Sequence, residues 1–279
     1  HGGVIKTYLA ADGSTRAFDD QGGKGGVPIL CLAGLTRNAS DFDYVLPHLL
    51  EHRRVIRLDY RGRGRSDHAP HETYTIPQEA ADVLGLLDHL KLEKVAILGT
   101  SRGGLIAMGL AAAHHDRLAG IALNDIGPEL SSAGLEAIKD YVGRPPAATT
   151  YTEAQEMRAT LMAGFDNVSA TRWAEEVRKH YVALPGGGLA INYDPALRDA
   201  VLATLAPPDL WPFFDACSGL PLALIRGANS DLLTAETASE MRRRRPDMVF
   251  AEVPGRGHVP FLDEPEAKDA LTRWMALLP

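Results

Sequence analysis

From Val27 onward, short unbroken apolar runs alternate with stretches patterned for amphipathic helix, and this rhythm limits the possible folds more than any other feature. The runs fall at 29–33, 55–59, 95–98 and 118–123, and the helical patterns between them at 40–52, 77–90 and 101–114. Strands apolar on both sides must be covered on both sides, so the pattern predicts an α/β protein with a parallel sheet between helical layers. Ahead of it, 5–10 and 15–19 read as antiparallel strands around an Asp12-Gly13 turn. The rhythm stops near Gly127-Pro128, and 130–210 reads as helices with no obvious strands. It resumes with a strand at 222–226, a helix at 234–245, a strand at 249–253 and a helix at 264–277. The expected organisation is a core in two parts, 1–128 and 213–279, with 129–212 as a helical insertion folded over one edge of the sheet.

Within this frame, Gly99-Thr100-Ser101-Arg102-Gly103 places a serine where a strand turns into a helix. Such a turn strains the serine backbone, and side chains two positions before and after it would collide, which accounts for the glycines. The pentapeptide matches the G-x-S-x-G nucleophile elbow in sequence and in strand–helix context. The alternative, a phosphate cradle at 22–26 (GGKGG), lacks both the Gly-Lys-Ser/Thr ending and the following helix.

A serine hydroxyl needs a base at neutral pH. Of ten histidines, His48, His52, His89, His114 and His115 sit near helix ends, and His68 and His71 in a polar loop; surface or capping roles account for them. His258 follows a strand across Pro254-Gly255-Arg256-Gly257, at a strand carboxyl end where open α/β sheets build their sites. It is the expected base. Two carboxylates qualify as its partner: Asp231, after the strand ending near 226, and Asp125, after the strand ending near 123. Asp231 is favoured, being one strand–helix unit from the histidine, and Asp125 is the alternative. The backbone amides of Leu35 and Arg102 are the expected oxyanion donors.

With these residues placed, the chain resembles the α/β-hydrolase superfamily over essentially its full length. Besides the elbow, LDYRGRGRSD at 58–67 looks like the superfamily's D-x-R-G-x-G-x-S segment, RGANSDLL like its acid loop and PGRGHVPFLDEP like its histidine loop. The resemblance implies an eight-stranded, mostly parallel sheet flanked by helices, an inserted helical cap after strand six, and a Ser-His-Asp triad needing no metal or organic cofactor. The serine argues against haloalkane dehalogenase and epoxide hydrolase chemistry, which uses an aspartate nucleophile. Two departures stand out: Ala33-Gly34 replaces the frequent His-Gly of the oxyanion loop, and Arg102 replaces an uncharged residue. For the Arg102 side chain a buried salt bridge is expected in preference to contact with an acidic substrate.

The activity expected is hydrolysis of a carboxylic ester or lactone of a mainly apolar small molecule through an acyl-enzyme. The alternatives are carbon–carbon bond hydrolysis of a diketone-type substrate and a small-ligand receptor on a hydrolase scaffold. A formal charge of −7 argues against nucleic acid and anionic membrane as partners. RGRGR at 61–65 and RRRR at 242–245 read as structural arginines. Two cysteines far apart, Cys31 and Cys217, read as reduced buried thiols and suggest a cytoplasmic protein. The opening His1-Gly2-Gly3 reads as an added remnant, and no signal peptide is visible.

Overall fold

A computed structural model describes residues 5–204 and 209–279; the opening tripeptide lies outside them. Its strands are β1 (Lys6–Leu9), β2 (Thr15–Gln21), β3 (Ile29–Leu32), β4 (Val55–Leu58), β5 (Val95–Thr100), β6 (Leu118–Asn124), β7 (Tyr181–Ala183), β8 (Leu189–Ile191), β9 (Leu222–Gly227) and β10 (Val249–Val253). Eight of them form one sheet in the order β1-β2-β4-β3-β5-β6-β9-β10. β1 and β2 join it antiparallel, and every other pairing is parallel. β3, β4, β5, β6 and β9 are buried at every position, as a mainly apolar sequence covered on both faces requires, with Arg57 and Arg226 buried among them.

The helices are α1 (Leu46–Leu50), α2 (Ile76–His89), α3 (Arg102–Ala113), α4 (Ser132–Tyr141), α5 (Tyr151–Leu161), α6 (Ala170–His180), α7 (Leu197–Ala203), α8 (Trp211–Asp215), α9 (Ala235–Arg244) and α10 (Pro265–Met275). Their starts are chemically marked. Thr75, Ser131, Thr150, Ser169 and Thr234 each accept a bond from a first-turn amide of α2, α4, α5, α6 and α9. Two apolar layers sandwich the sheet. One centres on Leu30, Ile97, Ile106 and Leu123, the other on Ile29, Leu98, Ile225 and Trp274. Cys31 and Cys217 are both free and buried.

The structure departs from the sequence expectations in two local respects. The helix expected at 40–52 is instead a 3-10 turn, Ala39–Phe42, capped by the Asn38 side chain, followed by the short α1. Pro47 sits in the first turn of α1, where its missing N–H has no partner to lose, so the helix begins there instead of running through. The second departure is an antiparallel hairpin, β7–β8, in the segment read as purely helical. Its strands are three residues each, too short for a period to show. Gly187 and Gly188, at φ +95° and +88°, turn the chain between them. Among the described residues no helix is long and apolar enough to cross a membrane.

Candidate active site

The carboxyl ends of β3, β5, β6, β9 and β10 open on one edge of the sheet, and Ser101, Asp125 and His258 follow β5, β6 and β10 there. Ser101 is the hinge between β5 and α3, held at φ +50°, ψ −113°, a conformation a side chain rarely adopts. The surrounding glycines are forced. A Cβ on Gly99 would come within 2.5 Å of the Gly103 backbone, and one on Gly103 would overlap the Leu32 carbonyl. α3 therefore lies directly against the sheet and presents the serine at its tip.

His258 Nε2 lies 3.1 Å from Ser101 Oγ, and its Nδ1 lies 2.6 Å from Asp125 Oδ2. The expected nucleophile and base thus meet. The favoured acid does not join them. Asp231 is exposed on the rim of the cavity above the serine, and Asp125 holds the position against the imidazole. The reason lies in the loop after β9. Its Gly227 amide donates to Asp125 Oδ1 at 2.8 Å and its Ser230 hydroxyl to Oδ2 at 2.6 Å. The loop therefore supplies donors to a carboxylate from β6 instead of its own acid. Asp125 is wholly buried, so these bonds and the imidazole replace its lost hydration. Ser230 went unnoticed in the sequence, although it lies one position before the favoured aspartate.

The histidine loop is fixed from below. Glu264 accepts from the Phe261 and Leu262 amides at 2.9 and 2.8 Å and from Arg256 Nε at 2.9 Å. Arg256 in turn donates to the Asp166 carbonyl at 2.9 Å, tying the loop to the inserted segment.

Of the residues expected to donate to an oxyanion, Arg102 follows the serine directly and Leu35 lines the same cavity. Arg102 opens α3, where a first-turn N–H has no helical acceptor. A Cβ on Gly34 would sit 4.0 Å from the Ser101 Cβ, so the loop after β3 passes beside the hydroxyl. Leu35 is held there by its carbonyl, which accepts from Arg63 Nε at 2.8 Å. The Arg102 side chain turns away to Glu79, pairing Nε with Oε1 at 2.6 Å and Nη2 with Oε2 at 3.0 Å. Arg63 Nη1 meets the same carboxylate at 3.1 Å. Burial alone would raise the Glu79 carboxyl, but the two guanidiniums outweigh it and hold it below its usual range. The buried-salt-bridge expectation for Arg102 is what the fold shows. Of the arginines at 242–245, Arg243 and Arg244 pair at the surface with Glu240 and Arg245 with Asp247, while Arg242 lies over the Phe250 ring.

Over the serine lies a cavity of about 740 Å³, walled on one side by the sheet edge and on the other by the segment between β6 and β9. Trp173 and Val177 of α6 turn into the protein core as their helical spacing suggests, while Tyr181 begins β7 and lines the cavity. The walls are more polar than the expected mainly apolar substrate requires: Arg37, Asp41, Arg144, Arg158 and His180 all line them. Arg37 pairs with Asp41 at 2.8 Å and with Glu176 at 3.1 Å. His180 Nε2 lies 3.2 Å from Asp41. Asp41, Glu176 and His180 together resemble a metal-ligand set, but Arg37 already occupies both carboxylates. No sequence signal marked this wall, because its members lie far apart in the chain.

A parallel-cored sheet with a strained serine at one strand end, hydrogen-bonded through histidine to a buried aspartate, defines the α/β-hydrolase architecture, and the chain belongs to that superfamily. The alpha/beta hydrolase fold family matches residues 27–152. The 3-hydroxybutyrate-oligomer hydrolase of Cupriavidus necator is 36% identical over 247 residues, covering 85% of this chain and 84% of that one. An alpha/beta hydrolase from Novosphingobium aromaticivorans superposes with a TM-score of 0.91 at 35% identity, covering 99% of both chains. The 2-(acetamidomethylene)succinate hydrolase of Mesorhizobium japonicum is 26% identical, covering 84% of this chain and 83% of that one.

Proposed function

We propose that this chain is a serine esterase that cleaves the ester bonds of short hydroxy-acid chains through an acyl-enzyme. The observation that carries the reading is the hydrogen-bonded line from Ser101 through His258 to Asp125, opening into a closed-over cavity. The hydroxy-acid part is supported by likeness to the 3-hydroxybutyrate-oligomer hydrolase and by the polar cavity wall. Its volume of about 740 Å³ suits a ligand of a few residues.

In this mechanism His258 Nε2 takes the Ser101 proton as Oγ attacks the ester carbonyl. Asp125 holds the imidazole with Nε2 toward the serine and stabilises the imidazolium that forms. The Leu35 and Arg102 amides receive the oxyanion. On collapse the alkoxide departs with the proton from His258. Water then enters, loses a proton to His258 and attacks the acyl-enzyme, releasing the acid and restoring the serine.

The test is steady-state hydrolysis of the 3-hydroxybutyrate dimer by the wild type and by Ser101→Ala. Multiple turnover lost on removing the hydroxyl supports the reading. Turnover retained at near wild-type rate removes Ser101 from the mechanism, and a single slow turnover in the wild type favours a ligand receptor.

A further inference from the structure

Three arginines line the cavity wall, and among the described residues Arg37 alone is ion-paired. Arg37 is held between Asp41 and Glu176. Arg144 sits on the exposed rim with Asp140 and Asp231. Arg158, on α5, is half-buried, and its partners are neutral: Nη1 meets His180 Nδ1 at 3.0 Å and Nη2 donates to the Tyr181 hydroxyl at 3.2 Å. Among the described residues it makes no ion pair.

The protonation of His180 follows from geometry. A guanidinium can only donate, so Nδ1 accepts from Arg158 and the imidazole proton sits on Nε2, directed at Asp41. Burial pushes the His180 ring down to about 4, with Arg37 adding to the effect, so near neutral pH it contributes no charge. Arg158 is therefore connected to Asp41 only through a neutral ring. Its guanidinium is oriented by two partners, and among the described residues its remaining N–H donors make no hydrogen bond. A positive charge positioned in this way, in the cavity that holds Ser101, is prepared for an anion.

We propose that Arg158, oriented by His180 and Tyr181, is a carboxylate-binding subsite that selects substrates carrying a free acid group away from the scissile ester. A single planar guanidinium fits a carboxylate bidentately, and the hydroxy-acid chains of the proposed function end in one. The inference rests on that reading for its substrate, while the subsite itself rests on the geometry of Arg158. It makes the enzyme one that engages the acid end of a chain, so a chain capped as an ester is a poor ligand.

The test separates binding from chemistry. In the Ser101→Ala background, calorimetry compares the 3-hydroxybutyrate dimer with its methyl ester. The free acid is expected to bind about tenfold to a hundredfold more tightly, the range for a charge-assisted pair of this kind. Arg158→Gln is expected to remove that difference and Arg158→Lys to keep part of it, with thermal unfolding of each variant confirming the fold. Equal affinity for the two ligands, no detectable binding of either, or a preference that survives Arg158→Gln overturns the subsite. Acid preference without wild-type turnover of the dimer contradicts the esterase reading alone, and turnover without acid preference contradicts the subsite alone.

Discussion

Asp125 Oδ2 lies 2.6 Å from His258 Nδ1, and the two residues are 133 positions apart in the chain. The carboxylate comes from the end of β6, while the loop after β9 contributes a hydroxyl and an amide to it. If this contact sets the tautomer of the base, Asp125→Asn lowers kcat by roughly 10⁴, the scale seen when a triad acid is replaced by its amide. Asp231→Asn, altering an exposed rim group, changes kcat by less than about tenfold. Ester turnover of the two variants checks this, and the reverse ranking returns the acid role to Asp231.

Much of the site was legible because its signals are local. The elbow pairs a strained serine with glycines at fixed offsets, and His258 follows its strand across a single short loop. The acid was not legible in the same way. Asp125 and Asp231 both follow strands, and the choice between them depends on the path of the 227–231 loop, where Ser230 and the Gly227 amide turn toward Asp125. The polar cavity wall was hidden for a related reason. Arg37 meets Glu176 across 139 positions, and no periodicity connects residues so distant. In the fold, long buried strands stood out, whereas the three-residue strands of the β7–β8 hairpin fall below the length at which alternation can be read.

Glu79 is the sole carboxylate paired with the buried guanidiniums of Arg63 and Arg102 among the described residues. Removing it strands two charges without solvent. Glu79→Ala is expected to destabilise the fold by about 3–5 kcal/mol, measured as a lowered denaturant midpoint at unchanged slope. A loss under about 1 kcal/mol would mean that water or another group takes its place.

Two glycines of α3 should respond oppositely to alanine. At Gly103 a Cβ overlaps the Leu32 carbonyl, whereas at Gly109 nothing lies within 4 Å. Gly103→Ala forces α3 off the sheet and costs several kcal/mol, or about 4 at least. Gly109→Ala stabilises by about 0.5–1 kcal/mol, through lower entropy of the unfolded chain and better helix propensity. Thermal unfolding of both variants checks the contrast. Equal effects would contradict the close packing that positions Ser101.

Acid should weaken the cavity wall through His180. Its folded value is about 4 against an ordinary 6.5, set first by burial and then by Arg37. As pH falls below about 6.5 the unfolded chain takes up a proton that the folded chain refuses, so stability declines between about 6.5 and about 4 and levels off below. The loss from this group is on the order of 3 kcal/mol. Asp41 acts in the same direction at lower pH. Burial opposes its ionisation, but Arg37 and His180 prevail and hold its carboxyl far below the usual range. Stability measured across this window is expected to fall more steeply in the wild type than in His180→Gln. Parallel curves would show that His180 is not buried in neutral form.

The most direct test of the central claim, that Ser101 is an activated nucleophile, is labelling by a fluorophosphonate with the modified peptide identified by mass spectrometry. A stoichiometric adduct is expected on Ser101, absent in Ser101→Ala and formed far more slowly in His258→Ala. An unlabelled wild type, or an adduct on a different residue, would contradict it.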